Sequence, residues 1–168
     1  LLENECPIFQ RNISQHGIEF IKCKGLNYHK YKLFLLSILW RAGISTRPFF
    51  SEIKLDPIHE NEIRKMLLSK DAGEVSKYPI FILSYGNNLR LPKQLIAQPR
   101  QITATSELKS YSFMINGYLY FFYLNESISV LPPFVTEETI KPNNELNIII
   151  VPKDKGWDFI FAQFGIMN

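Results

Sequence analysis

The residues of this chain that could do chemistry fall into a few sets. Cys6, His16, Cys23 and His29 are the donor types of a Cys2His2 zinc site, but the gaps between them are nine, six and five residues. A tetrahedral site draws at least one close pair, such as Cys-x2-Cys, from a single tight turn. None is present, so no metal or other cofactor is expected in this chain. His59 lies beside Glu60 and Glu62 on a helical stretch and reads as a solvated surface histidine. A general base needs geometry that this spacing does not supply. Glu137 and Glu138 are adjacent carboxylates, which need not converge on one atom. There is no G-x-S-x-G nucleophile setting and no glycine-rich phosphate loop. The chain is therefore not expected to be catalytic on its own.

One cation poses a sharper physical question. The stretch LFLLSILWRAGIST places Arg41 at the end of a run that is almost wholly apolar. Lys30, Phe34, Ser37 and Arg41 share a helical stripe, spaced four, three and four residues apart. A helix apolar on nearly every side is expected to be buried on nearly every side. An unpaired charge there costs several kcal/mol, of order 3–5 when a partner is removed. Three outcomes are open. Arg41 pairs with Glu52, Asp56, Glu60 or Glu62 as an internal clasp. Alternatively it joins Arg47 and Lys30 or Lys32 as a phosphate site. In the third, it snorkels out to water.

Charge distribution gives the one lead to a partner. Net charge is only +3, too small to argue for nucleic acid by itself. From Phe20 to Ser51, however, there are six basic residues and no acid. Lys22, Lys24, Lys30 and Lys32 interleave with Tyr28 and Tyr31, so cations for phosphates sit among rings that could stack on bases. The same pattern also suits a solvated basic face.

Around these residues the elements read as follows. A short strand spans GIEFIKC and ends at Gly25. Asn27 caps a helix from Tyr28 to about Ala42, with Gly43 at its stop. Asp56 caps a second helix that Pro57 opens, and Gly73 closes it. YPIFILSYG reads as a strand, with short strands at 95–97 and 101–104 after it. SYSFMINGYLYFFYLN is a hairpin turning at Asn116-Gly117. Tyr118, Tyr120 and Phe122 face one side, and Leu119, Phe121 and Tyr123 the other. Both sides are apolar, so both faces are expected to be covered. ELNIIIVP is a further strand, and KGWDFIFAQFGI is a helix or a strand. The predicted class is α+β: a buried N-terminal helix pair followed by an antiparallel, hairpin-rich sheet. One domain is expected over 1–168, with an irregular or short-strand part at 1–26, a helical block at 27–72 and a β-rich part at 78–168.

No apolar run reaches the roughly 18 residues of a membrane span, and no signal peptide is present. With two cysteines read as reduced thiols, a soluble cytoplasmic protein is expected. The chain opens on Leu1 rather than Met, which is expected of a fragment, a processed product or an excised domain.

The stretches YHKYKLFLLSILWRAGISTRPFF, EIRKMLLSKDAGEVSKYPI and YSFMINGYLYFFYL together resemble the C-terminal portion of bacterial uncharacterised proteins related to HNH endonucleases. The resemblance covers roughly residues 28 to 125. Its Leu-Trp-Arg element falls on Leu39, Trp40 and Arg41, and a second element on Glu62, Arg64, Leu67, Leu68, Asp71 and Gly73. It implies a nuclease-type context, in defence or mobile elements. In those relatives a metal-binding segment with Cys-x-x-Cys pairs comes first. Neither such a pair nor a His-Asn-His arrangement is present here, so the resemblance implies a non-catalytic module that positions nucleic acid through Lys30, Lys32, Arg41 and Arg47. Such binding would be weak and charge-driven. The alternative expectation is a protein-interaction or oligomerisation domain, burying the hairpin and LPPFV against another chain.

Overall fold

The computed structural model describes residues 8–13, 19–84, 96–105, 108–124 and 145–151. The fold is α+β. Seven strands form one sheet: β1 (Ile8–Ile13), β2 (Glu19–Lys24), β3 (Ile80–Ser84), β4 (Ile96–Thr105), β5 (Leu108–Ile115), β6 (Tyr118–Tyr123) and β7 (Glu145–Ile150). Their spatial order is β1-β2-β7-β3-β6-β5-β4. Two helices, α1 (Tyr28–Gly43) and α2 (Pro57–Ser69), with a 3-10 turn at Pro48–Phe50 between them, connect β2 to β3.

Two features differ from the expected order. Strands flank the helix pair on both sides in sequence, and 8–13 adds a second strand before the helices where irregular chain is expected. IFQRNI lacks a clean alternation. It becomes a strand by pairing antiparallel with β2, Phe9 opposite Cys23 and Ile13 opposite Glu19, with an Arg11–Glu19 ion pair across the two strands. The sheet is also mixed rather than antiparallel throughout. β7 runs parallel to β3, with Ile82 opposite Ile148, and antiparallel to β2.

The local rules hold at the element ends. Asn27 Oδ1 accepts from the Lys30 N–H at 3.0 Å, and Asp56 Oδ1 accepts from the His59 N–H at 3.0 Å. Each satisfies a donor that the first helical turn leaves free. Asn116 and Gly117 take φ of 54° and 78°, the two left-handed residues of a type I′ turn, with Ile115 opposite Tyr118. Gly43 has a different reason from the one its position suggests. A Cβ there would meet Leu55 Cδ1 at 2.7 Å and Cγ at 2.8 Å. It is glycine because the chain returning from the 3-10 turn lies against it. The stretches at 95–97 and 101–104 form the single strand β4, with register irregularities where it pairs with β5.

Alternation along β6 sorts the two cores. Tyr120 and Phe122 join Ile80, Ile82, Phe113, Leu146 and Ile148 beneath the helices, and Tyr118 packs against the same cluster. Leu119, Phe121 and Tyr123 join Phe81, Leu83, Met114 and Ile149 on the opposite face, where Phe81 and Phe121 stack at 4.7 Å. Both faces are buried. LPPFV and KGWDFIFAQFGI lie outside the described residues. Among the described residues, no helix is long and apolar enough to cross a membrane.

Candidate functional site

The inward residues of α1 are Tyr28, Lys32, Leu35, Leu36, Leu39 and Ala42, the stripe of an amphipathic helix. Its opposite face carries Lys30, Phe34, Ser37 and Arg41, with Ile44 just past the end. All are exposed except Ser37, which is half-buried and turns its hydroxyl back to the Phe34 carbonyl at 2.7 Å. α1 is thus half wet, not central and enclosed. The stripe of Lys30, Phe34, Ser37 and Arg41, expected to be buried, is the solvent face. The positions that mislead are a lysine inside and a phenylalanine outside: Lys32 is 2% exposed and Phe34 is 53% exposed.

Arg41 therefore has no burial problem to solve, and the clasp does not form. Glu52 pairs with Arg100 at 3.5 Å. Asp56 caps α2 and lies 3.6 Å from His59. Glu62 is held by Tyr78 and Lys77. Glu60 is half-buried on α2 and makes no ion pair with Arg41. Among the described residues, no carboxylate pairs with Lys30, Arg41 or Arg47. Arg41 sits in the last turn of α1, where a cation meets the negative end of the helix dipole. Arg47 is exposed beyond it, its backbone N–H donating to Ser45 Oγ at 3.2 Å. Phe49, in the 3-10 turn, is 42% exposed, and its ring meets Phe50 edge-on at 5.0 Å. Phe50 is packed against the helix-side core, so it anchors its exposed neighbour.

Lys32 leaves the phosphate-contact set. Its ammonium donates to the Lys77 carbonyl at 2.6 Å, the Glu74 carbonyl at 2.7 Å and the Tyr28 hydroxyl at 3.2 Å. All three protons of the ammonium then have a protein acceptor. Burial pushes the Lys32 ammonium down to about 8, against the opposing pull of the Asp71 and Glu74 carboxylates. Tyr28 in turn donates to the Gly73 carbonyl at 3.1 Å, and burial, with Glu74 and Asp71 nearby, pushes its phenol up to about 12. Tyr28 is a core residue, and Tyr31 is half-buried and packs against the same core. The exposed phenyl rings of this stretch are Phe34 and Phe49 instead. Of the other two lysines in the basic cluster, Lys22 pairs with Glu145 at 3.2 Å and Lys24 is half-buried.

A second polar group ties α2 to the segment before β3. Tyr78 is 2% exposed and has a φ of 51°, a left-handed backbone that costs an aromatic residue roughly 1–2 kcal/mol. Its hydroxyl donates to Glu62 Oε2 at 2.6 Å. That leaves its oxygen to accept from His59 Nδ1, 3.0 Å away. Lys77 Nζ lies 3.2 Å from the other Glu62 oxygen. The Tyr78 bond, with help from Lys77 and His59, holds the Glu62 carboxyl below its ordinary range against the opposing effect of burial. His59 is therefore not a free surface histidine. It is a half-buried member of a network that joins it through Tyr78 to Glu62 and Lys77.

Cys23 is fully buried in β2 and disulfide-bonded, not a reduced thiol. The chain's other cysteine, Cys6, lies outside the described residues, as do His16, Glu137 and Glu138. Among the described residues no three His, Cys, Asp or Glu side chains are grouped to hold a metal ion. The exposed cations without a described ion pair include Lys30 and Arg41 on the outer face of α1, Arg47 in the turn after it, and Arg64 and Lys65 on α2. No family model, curated protein or solved structure matches the chain.

Proposed function

We propose that this chain is a non-catalytic α+β module that contacts nucleic acid through the outer face of α1, with Lys30, Arg41 and Arg47 as its phosphate contacts. The observation that carries the reading is that these three cations are exposed, and no described carboxylate neutralises them. A cation already paired inside the protein has little to gain from a phosphate. A free one releases a condensed counterion when it binds. The contact works by charge and positioning rather than by reading bases.

The test is fluorescence anisotropy with labelled oligonucleotides. The expected result is weak binding that falls steeply between roughly 50 and 200 mM salt, and its loss on joint reversal of Lys30, Arg41 and Arg47 to Glu. Binding unchanged by salt or by the reversal contradicts the reading.

The exposed Phe34, Ile44 and Phe49 favour a second reading, a protein-interaction surface. A stable oligomer in light scattering that is indifferent to nucleic acid supports it. A disulfide at Cys23 fits an oxidising compartment better than a reducing cytoplasm. Thiol titration of freshly purified, denatured protein checks this, with no free thiol expected.

A further inference from the structure

Resting on the nucleic-acid reading, we infer that the ligand of this face is single-stranded, and that Phe34 and Phe49 hold it by stacking on unpaired bases. Phe34 lies between Lys30 and Arg41 on one stripe of α1, about 6 Å along the axis from the first and about 10 Å from the second. Both cations and the ring are exposed. Beyond the helix the pairing recurs, with Arg47 and Phe49 two residues apart and both exposed.

Charge alone would need no rings here. An exposed phenyl group gains nothing from a phosphate, and a duplex keeps its bases stacked inside, out of reach of a surface side chain. An unpaired base offers a flat face that any aromatic ring can cover, whatever the sequence. Cations beside rings are therefore complementary to a chain that alternates phosphates with exposed bases. The edge contact of Phe49 with the core-packed Phe50 limits how far that ring can move, so less freedom is lost when a base stacks on it. The other large exposed apolar side chains of the helices, Ile58 and Leu68 on α2, are aliphatic and serve as controls.

The experiment compares oligothymidylate with the same strand paired to oligoadenylate, at a salt concentration high enough to weaken the phosphate contacts. The expected result is single-strand binding at least about tenfold tighter than duplex binding. Phe34→Ala and Phe49→Ala should each weaken it about tenfold, as loss of one stacked base implies, while Leu68→Ala changes nothing. Equal binding of both forms, or unchanged binding by the two Phe variants, overturns the stacking and leaves the charge contact standing. Binding of neither form at this salt overturns the stacking, and binding of neither form even at about 50 mM salt overturns both. A parallel arm uses equimolar phosphatidylglycerol–phosphatidylcholine vesicles. Phe34-dependent vesicle binding without oligonucleotide binding also overturns the inference, in favour of a lipid surface.

Discussion

The ammonium of Lys32 donates to the carbonyl oxygen of Lys77 at 2.6 Å, joining the inner face of α1 to a segment 45 residues further along the chain. With the Glu74 carbonyl and the Tyr28 hydroxyl it fastens the helix to the loop that leads into the central strand β3. This lysine belongs to the fold, and that separates it from the exposed cations Lys30, Arg41 and Arg47.

Replacing it should show as a change in stability and in its pH dependence. Lys32→Met removes the donor that the Glu74 and Lys77 carbonyls share and is expected to cost about 1–3 kcal/mol. The sign with pH follows from the lowered Lys32 value. Between about 8 and 10.5 the unfolded chain holds more protons than the folded one, so stability rises with pH across that window. Urea midpoints of the wild type should therefore increase from about pH 7.5 to about pH 9.5 by an amount missing in Lys32→Met. Staying below the ordinary tyrosine range of about 10 avoids the opposite effect of the buried phenols, whose raised values make stability fall as pH rises through that range.

Tyr78 should matter through its hydroxyl. Tyr78→Phe keeps the ring and the left-handed backbone but removes the bonds to Glu62 and His59. An expected loss of about 1–2 kcal/mol allows for the partial exposure of the pair. Glu62 is held below its ordinary range, so its contribution is present above the unfolded carboxylate value of about 4.3 and is lost as pH falls through the folded one. Thermal melts at about pH 7 and about pH 3.5 should differ less in Tyr78→Phe than in the wild type. An unchanged difference would mean that the network does not hold Glu62.

Much of this architecture is legible in the sequence, because capping and turn chemistry are local. Asn27, Asp56-Pro57 and Asn116-Gly117 each mark an element end that the structure reproduces. The alternation of Tyr120 and Phe122 against Leu119 and Phe121 likewise assigns the two sheet faces. The orientation of α1 is not legible in the same way. Its apolar residues nearly encircle it, so periodicity cannot say which side is wet. The answer lies in contacts more than 40 residues away, where backbone carbonyls give Lys32 a buried home. β1 is hidden for a similar reason, since its pairing partner rather than its own pattern makes it a strand. Phe34 sits among apolar neighbours in sequence, so nothing local marks it as the ring that faces solvent.

Gly43 provides a check on the helix-to-loop packing. An added Cβ would press on Leu55, at a cost of about 1–3 kcal/mol for overpacking, offset by up to about 1 kcal/mol of helix propensity. Gly43→Ala is therefore expected to be destabilising by about 1–2 kcal/mol in urea unfolding. A gain in stability would show that Leu55 moves aside freely.

The claim that most needs a direct test is that Lys30, Arg41 and Arg47 meet phosphates. The slope of log affinity for oligothymidylate against log salt counts those contacts, at about 0.7 per phosphate on a single strand. Converting the three residues to Ala should flatten the slope by about 2 and weaken binding. A slope identical to the wild type, in a variant that remains folded, would contradict the account.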